Sequence, residues 1–312
     1  MLKSKIMPSC YSEIDTLTEV ILCSPANIDV QSSEVSSVGF VNELKSRIAI
    51  EQHNNLKQKL ADFGCVVHDI SSENNEELWN RLVNRIFVRD IAAAFGNKLI
   101  LGLSDTEIRR PDFRYTHKFL NEMVDSKHIT NVPNSVSFEF GDFMIINRQC
   151  VLINTGHRTN NIEYLTEFLY NMGIEEVGFI SLPQTIEALH LDVVCNILGE
   201  NHLLAAPFLK FMPVSIYRNT NIKGGEVEYV SFDQFAKRHG YSVCWLPNKS
   251  YLIDYTNFIN LDKKTALVSQ AVVSLYEEWF PNMKFIGVDV SHLQNGAGSI
   301  RCLTLPISRE EN

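Results

Sequence analysis

The sequence predicts an α/β fold with mixed strand pairing. Five segments repeat one order, in which an amphipathic helix is followed by a glycine or proline and then by a short strand-like run. Between them lie runs rich in Val, Ile, Leu and Phe, bounded by turn residues, as strands are. The units average about 60 residues each, which indicates repeated supersecondary modules. No composition break or linker marks a boundary, so residues 1–312 are predicted to form a single domain with five pseudo-repeats.

The first two units lie in the N-terminal half of the chain. The first helix carries its apolar side chains at helical spacing and ends at Gly64, before a strand over 65–70. Those side chains are Leu44, Ile48, Leu56 and Leu60. The second unit is weaker, with a helix over 116–124 and an extended run over 129–132.

The other three units carry clearer start and stop signals. In the third, Thr159 or Asn160 is the predicted N-cap, Gly173 ends the helix, and a strand covers 176–182. In the fourth, Ser231 is the cap and Gly240 the stop, with a strand over 241–246. In the fifth, Pro281 breaks the chain before a strand over 284–290.

The β-rich runs that separate these units favour a mixed sheet arrangement. They cover 18–25, 92–103, 143–154 and 201–211, and two of them contain a central turn that is typical of a hairpin. A doubly wound sheet is the competing fold, but no G-x-G-x-x-G follows a strand.

Composition excludes several classes of function. The 312-residue chain has a formal net charge of -9, and no block of Lys or Arg forms a basic face, which argues against nucleic acid as a partner. No apolar run reaches signal-peptide length at the N-terminus or the roughly 18 residues of a membrane span, so a cytoplasmic location is expected. The seven cysteines are odd in number and contain no C-x-x-C pair, which argues against a disulfide framework or a thiolate zinc site.

Polar residues interrupt otherwise apolar stretches at three places. Asp90 follows Arg89, Glu139 and Asp142 flank Gly141, and His190 precedes Asp192 by two positions. If the last run is a strand, His190 and Asp192 share one face and need partners, because unpaired buried charge is costly.

Each cluster also has a simpler interpretation. His190 and Asp192 are compatible with a local hydrogen-bonded pair, or with two metal ligands whose third partner is Glu139 or Asp142. Asp90 and Arg89 are compatible with a surface ion pair. A lone cysteine is usually a buried small hydrophobe, and this is the expectation for Cys195.

Cys302 gives these clusters a common chemical task. A cysteine nucleophile needs an acid or base, which His190 can supply, and an orienting carboxylate, which Glu139 can supply. Asp90, Asp142 and Asp192 are then surplus acids that raise the pKa of the thiol unless a cation lies among them. A planar guanidinium pairs bidentately with carboxylates, so the substrate itself is the candidate cation.

The ordered motifs resemble the guanidino-group-modifying superfamily of arginine deiminases, dimethylargininases and amidinotransferases, whose fold is the pentein fold. The motifs are "SEIDTLTEVILCSP", "FVRD", "EFGD", "NTGHRTN", "HLDVV" and "SIRCLTLPISRE", and they extend from Ser12 to Glu310. The resemblance implies a five-bladed α/β propeller of pseudo-repeated ββαβ modules around a central active site.

The resemblance also implies the roles of the site residues. Cys302 is then the nucleophile, His190 the general acid and base, and Glu139 the carboxylate that works with it. Asp90 and Asp192 bind the guanidinium, Asp142 supports the same pocket, and Arg158 and Arg109 bind the carboxylate of an amino acid; these five make up the expected substrate-binding set. Arg110 is expected to be a solvated surface residue.

The activity implied is cleavage of a C–N bond in arginine or a close relative, through a covalent thiouronium on cysteine. The expected partner is a small guanidino substrate, and no metal or other cofactor is implied. A homo-oligomer is compatible with the resemblance. Phe140 replaces a glycine of the arginine deiminase pattern, and the helical insertion of those enzymes before "FVRD" is missing. Several alternatives stay open. The substrate could be a methylated arginine or the product ornithine, the enzyme could be an amidinotransferase, or the protein could be a non-catalytic module that binds a guanidino ligand or another protein.

Overall fold

The computed structural model describes residues 5–72, 76–219, 227–249 and 252–311. Its α-helices are α1 Val35–Val38, α2 Ser46–Phe63, α3 Val88–Ile91, α4 Arg110–Met123, α5 Ile162–Asn171, α6 Leu191–Val194, α7 Phe232–Arg238, α8 Ile253–Thr256 and α9 Val273–Trp279. Its strands are β1 Thr16–Leu22, β2 Val66–Asp69, β3 Ala92–Phe95, β4 Lys98–Leu101, β5 Ile129–Asn131, β6 Phe143–Asn147, β7 Cys150–Asn154, β8 Glu176–Ile180, β9 Cys195–Leu198, β10 His202–Ala205, β11 Pro213–Arg218, β12 Glu228–Ser231, β13 Ser242–Trp245, β14 Ile259–Asn260, β15 Thr265–Ser269, β16 Lys284–Val288 and β17 Leu305–Glu310.

The strands of the described ranges form five separate sheets, which confirms the predicted α/β class with mixed pairing. Each sheet contains an antiparallel pair followed, after a helix, by a parallel strand. The sets are β3-β4-β5 with α4, β6-β7-β8 with α5, β9-β10-β13 with α7, β14-β15-β16 with α9, and β17-β1-β2 with α2. The last set joins the two ends of the chain, and β11 and β12 extend the second sheet.

The local stop signals of the sequence are confirmed at several helix ends. Gly64 follows α2 with φ +107°, Gly173 follows α5 with φ +90°, and Gly240 follows α7 with φ +87°. These left-handed conformations favour glycine because it has no Cβ. Ser231 begins α7 with a capping box that its side chain shares with Gln234.

Three local predictions are wrong. On the apolar face predicted for the first helix, Ile48 is 39% exposed and Leu44 lies before α2, whereas Leu56 and Leu60 are buried within the helix. The N-cap of α5 is Asn161, not Thr159 or Asn160, because the Thr159 hydroxyl is directed to Asp142 instead. The run around His190 is not a strand, since residues 191–194 form α6 and His190 is the extended residue before it.

The buried apolar residues form three clusters, and the sheets contribute to all of them. Cys195 lies in one of these clusters and is fully buried, as predicted for a core cysteine. No helix among the described residues has the length and apolar character needed to cross a membrane.

Five short turns or helices place polar residues at equivalent positions of the five sheets. Each one precedes one strand of an antiparallel pair by at most two residues: α3 before β3, the turn at 140–142 before β6, α6 before β9, α8 before β14, and the turn at 301–303 before β17. Asp90, Asp142, Asp192 and Cys302 lie in four of these segments, and Asn257 directly follows α8 in the turn before β14. The repeated topology therefore collects one polar side chain from each module.

Candidate active site

Five of the predicted site residues line one narrow cavity of about 50 Å³: Asp90, Arg109, Arg158, His190 and Cys302. The lining also includes Gly39, Gly298, Phe87 and Leu189. Glu139, Asp142 and Asp192 lie behind this lining and are buried to within 1% of complete exclusion from solvent.

The Cys302 thiol is held by Asn257 and faces Asp192. Asn257 Nδ2 donates to Cys302 Sγ over 3.1 Å, and Asn257 Oδ1 accepts from the Cys302 backbone N–H over 3.1 Å. The two carboxylate oxygens of Asp192 lie 3.8 and 3.9 Å from the sulfur. The cysteine is 4% exposed, so the predicted nucleophile is a buried thiol beside a carboxylate.

The surroundings of Cys302 oppose its ionisation. Burial raises the pKa of the thiol well above its ordinary value, and the negative charges of Asp192 and Asp90 raise it further. Hydrogen bonds from the Ser299 backbone N–H and from Asn257 act in the opposite direction. A cation placed between the carboxylates therefore favours the thiolate, which is the electrostatic relation expected from the sequence.

His190 lies between two carboxylates. Its Nε2 is 3.0 Å from Glu139 Oε2, and its Nδ1 is 3.5 Å from Asp90 Oδ1. Burial lowers the pKa of His190, but the charges of Asp90 and Asp142 and the hydrogen bond to Glu139 outweigh burial and raise it to about 9. The imidazole is therefore a cation at neutral pH and can donate from both nitrogens.

Glu139 is fully buried but accepts several hydrogen bonds. Its partners besides His190 are Ser104 Oγ at 2.5 Å and Arg158 Nη1 at 3.0 Å. Burial alone raises the pKa of this carboxyl, but hydrogen bonding to His190 and the charge of Arg158 lower it to about 2. Glu139 is thus an ionised anchor for His190, in keeping with the predicted pairing.

Gly141 allows His190 and Asp90 to approach the chain at 140–142. A Cβ at this position would lie 2.6 Å from His190 Nδ1 and 2.9 Å from Asp90 Oδ1, closer than real Cβ contacts. Gly141 lies in a short 3₁₀ segment, Phe140–Asp142. The reason for glycine here is this close approach of two site residues.

Asp192 connects the thiol to a buried ion pair that sequence reasoning missed. Arg301 Nε lies 3.6 Å from Asp192 Oδ2, and Arg301 binds Glu13 bidentately through Nη1 and Nη2 at 2.7 and 2.8 Å. Burial raises the pKa of Asp192 to about 6 against the opposing charge of Arg301. Asp192 is therefore mostly ionised at neutral pH.

Asp142 is placed near the site but has no free oxygen directed into the cavity. Oδ1 accepts from Asn154 Nδ2 at 2.8 Å and from the Leu191 backbone N–H at 3.1 Å, and Oδ2 accepts from Thr159 Oγ1 at 2.8 Å. The bond to Leu191 fixes the chain beside His190, so Asp142 supports the pocket from behind its lining.

The two predicted arginines both bind site carboxylates. Arg109 is buried, and its Nη1 donates to Asp90 Oδ2 at 2.8 Å while its Nε donates to Asp112 Oδ2 at 3.0 Å. Arg158 is half-buried and lines the cavity. Its Nη1 forms an ion pair with Glu139. Arg110 is exposed, as predicted. The surface-pair interpretation of Asp90 and Arg89 is wrong, since both residues are buried.

Asp90, Glu139 and His190 bring ligand atoms within 4.8 Å of one another, as a metal site would. Asp192, which the alternative metal interpretation paired with His190, does not belong to that group. Arg109 and Arg158 already neutralise two of the carboxylates, and His190 is itself cationic at neutral pH. The positive charges already present at this cluster therefore disfavour a resident metal ion.

Sequence reasoning missed Asn257, Glu13, Arg301 and Ser104. Asn257 had an available signal, because it occupies the fourth of the five equivalent turns that precede a hairpin. Arg301 and Glu13 lie inside quoted motifs, but nothing local pairs residues 288 positions apart. Ser104 carries no sequence signal that distinguishes it from a surface serine.

Residues 29–309 match the family model described as "N,N dimethylarginine dimethylhydrolase, eukaryotic". The chain belongs to the dimethylarginine dimethylhydrolase family. This membership confirms the resemblance to the guanidino-group-modifying superfamily.

Other comparisons show one similar protein sequence and two similar folds. The uncharacterized protein YkgA of Bacillus subtilis is 26% identical, and the match covers 99% of this chain and 98% of YkgA. The chain is similar in fold to Pseudomonas aeruginosa DDAH, solved as a mutant in complex with citrulline. The TM-score is 0.68 at 17% identity, and the match covers 93% of this chain and 99% of that one. The amidinotransferase SxtG of Microseira wollei gives a TM-score of 0.68 at 17% identity, over 98% of each chain.

Proposed function

We propose that this protein is an amidinohydrolase that cleaves a C–N bond in the guanidinium group of arginine or a closely related guanidino amino acid. The observation that carries the proposal is the position of the Cys302 thiol, 3.8 Å from the Asp192 carboxylate, in a cavity that Asp90 and His190 also line. A thiol surrounded by acids is poorly nucleophilic alone and is activated when a cation binds beside it. The guanidinium of the substrate supplies that cation.

Asp90 and Asp192 bind the guanidinium in this proposal. Asp90 Oδ1 has no hydrogen-bond partner, although it is buried, so it is available to a substrate N–H. Asp192 lies beside the sulfur. Carboxylates on both sides of a planar cation fix the guanidinium carbon over Cys302 and neutralise the substrate charge.

The first half of the reaction forms a covalent intermediate. Binding of the cation lowers the pKa of Cys302, the thiol proton leaves to solvent, and the sulfur adds to the guanidinium carbon to give a neutral tetrahedral adduct. His190 gives a proton to one nitrogen, and the C–N bond breaks to release ammonia or an amine. The product is an S-linked thiouronium cation, which Asp90 and Asp192 stabilise.

The second half consumes one water molecule. Neutral His190 accepts a proton from water as the oxygen attacks the thiouronium carbon, and the C–S bond then breaks to return the thiolate. The ureido product leaves, and its spare proton is taken by the released ammonia. Because Nε2 is bonded to Glu139, Nδ1 is the nitrogen that exchanges protons with the substrate.

The five sheets are part of this proposal. We infer that the five ββαβ modules close into a five-bladed propeller, with residues 1–312 forming one catalytic domain. The support is that Asp90, Asp142, Asp192, Asn257 and Cys302 come from equivalent turns of the five modules and converge on one site.

The assay that tests the function uses arginine, N-methylated arginines, agmatine and guanidinoacetate separately, with ammonia, amine and product mass as readouts. Ammonia with citrulline or ornithine from arginine supports a deiminase or dihydrolase, and citrulline from methylated arginines alone supports a dimethylargininase. Turnover that requires an added amine such as glycine replaces the hydrolase with an amidinotransferase. No turnover in any mixture, with tight binding of a guanidino ligand, favours a binding module.

Two matched cysteine variants assign the nucleophile. Cys302→Ser is expected to abolish turnover and to prevent a mass adduct of enzyme and substrate. Cys244→Ser, at a half-buried cysteine outside the cavity, is expected to retain both. Unchanged turnover in Cys302→Ser contradicts the mechanism.

A further inference from the structure

A second cluster of metal-ligating side chains lies away from the cavity, where Cys150, Glu176 and His239 meet. Cys150 and Glu176 are the first residues of the parallel strands β7 and β8 and lie opposite each other in register. His239 is the residue after α7. Asn154, which bonds the site residue Asp142, is four residues further along β7, so the cluster is roughly 13 Å from that contact.

The three ligand atoms already form a compact triangle. Cys150 Sγ lies 3.6 Å from Glu176 Oε1 and 3.6 Å from His239 Nε2, and the nitrogen and oxygen are 2.9 Å apart. Donors bound to one tetrahedral zinc ion at 2.0–2.3 Å lie about 3.3–3.7 Å apart. Both distances that involve sulfur already match, and the third needs an increase of only about 0.5 Å.

The charges of the cluster also suit a divalent ion. Glu176 Oε2 is occupied by Arg218 Nε at 2.8 Å, which leaves Oε1 directed to the sulfur and the imidazole. One thiolate, one carboxylate and one neutral imidazole are ligands that zinc takes in proteins, and Arg218 offsets part of the carboxylate charge from outside the ligand triangle. His239 Nε2 faces both Cys150 Sγ and Glu176 Oε1, so the ring nitrogen that binds the metal is already directed to the other two ligands.

The cluster has an outer partner and access to solvent. The side-chain amide of Asn147 is 3.3 Å from His239 Nδ1, and rotation of this amide presents its oxygen to the Nδ1 proton. The side chains of His239 and Glu176 are 11% and 14% exposed, so an ion can enter from solvent and keep one water. Cys150 is buried beneath them.

We propose that Cys150, Glu176 and His239 bind one Zn²⁺ ion, with water as the fourth ligand. Binding releases the Cys150 thiol proton to solvent and moves the His239 ring proton from Nε2 to Nδ1. The ion then links β7, β8 and the end of α7 at the side of the second sheet remote from the cavity.

The test uses the full-length Cys302→Ser protein, so that the active-site thiol does not contribute. Titration with Co²⁺ as the spectroscopic probe and with Zn²⁺ by calorimetry is expected to show one bound ion and a thiolate-to-cobalt absorption band. Adding Cys150→Ser or His239→Gln is expected to remove the band and the stoichiometric binding. Because His239 is partly exposed, its variant tests the site even if Cys150→Ser disturbs folding.

The matched control adds Cys244→Ser to Cys302→Ser. Cys244 Sγ is 3.8 Å from His202 Nδ1 and forms the nearest similar cysteine and histidine pair among the described residues, but without a carboxylate. This variant is expected to keep the band. Absence of metal binding to Cys302→Ser, a band that survives His239→Gln, or a band lost with Cys244→Ser overturns the zinc site.

Discussion

The side chain of Asn257 holds Cys302 at two points, because its Nδ2 donates to the sulfur while its Oδ1 accepts from the backbone N–H of the same residue. Asn257 comes from the turn before β14, and Cys302 from the equivalent turn before β17. The amide thus fixes the sulfur and stabilises its thiolate form.

Asn257→Ala is expected to weaken the nucleophile. Loss of a hydrogen bond to a charged group costs about 1.5–3 kcal/mol, so the pKa of Cys302 rises and its alkylation at fixed pH slows about 10- to 100-fold. The rate is measured with iodoacetamide by peptide mass analysis, which separates Cys302 from the other cysteines. Asn260→Ala, at a buried asparagine that bonds only backbone atoms, is the control for packing. Equal alkylation in wild type and Asn257→Ala contradicts this role.

Asp192→Asn is expected to change alkylation and turnover in opposite directions. Removal of the carboxylate charge lowers the pKa of Cys302, so alkylation of the free enzyme accelerates by about tenfold or more. Hydrolysis of the guanidino substrate falls, because one side of the guanidinium loses its charged acceptor. The exposed Asp233→Asn is the control. A parallel change in both rates would show that Asp192 does not bind substrate.

Asp90→Ala is expected to raise KM and to lower kcat. It removes a buried carboxylate oxygen that accepts no hydrogen bond from the described part of the chain, and it takes away the Asp90 partner of Arg109 Nη1. Asp112→Asn removes the charge of the other carboxylate that binds Arg109 but leaves Asp90 in place. A loss of the same size in both variants assigns the effect to Arg109, and a much larger loss in Asp90→Ala assigns it to substrate binding.

Arg158→Ala is expected to discriminate substrates by their carboxylate. If Arg158 binds this group, the variant loses about tenfold more kcat/KM with arginine than with agmatine, which lacks a carboxylate. If Arg158 acts only through Glu139, which it also bonds, both substrates lose equally. The exposed Arg110→Ala is expected to change neither.

The raised pKa of His190 predicts that the folded protein loses stability at alkaline pH. Its pKa is raised from 6.5 to about 9 by its carboxylate neighbours, so its contribution to the free energy of unfolding is complete below pH 6.5 and is lost as pH rises to about 9. That contribution is on the order of 3 kcal/mol. Denaturant unfolding of wild type and His190→Asn between pH 6 and pH 10 measures the difference, which is expected to shrink with rising pH. A difference that is constant over this range contradicts the assigned cause.

The sequence by itself determined the α/β class, most helix and strand positions and the composition of the candidate site. These features depend on neighbouring residues: apolar spacing sets the buried face of α2, and Gly64, Gly173 and Gly240 end helices because their backbone is left-handed. The superfamily resemblance supplied Cys302, His190 and Glu139, which the structure brings to one site.

Only the tertiary structure decided how the site residues are bonded. The hydrogen bonds between Asn257 and Cys302 join residues 45 positions apart. The ion pair between Glu13 and Arg301 joins residues 288 positions apart. The same applies to Asp142, whose oxygens are used by protein donors from three different segments, and to Arg109, whose Nη1 occupies one oxygen of Asp90. Local sequence fixes backbone conformation and the direction of burial, but the partner of a buried charge depends on which modules the fold brings together.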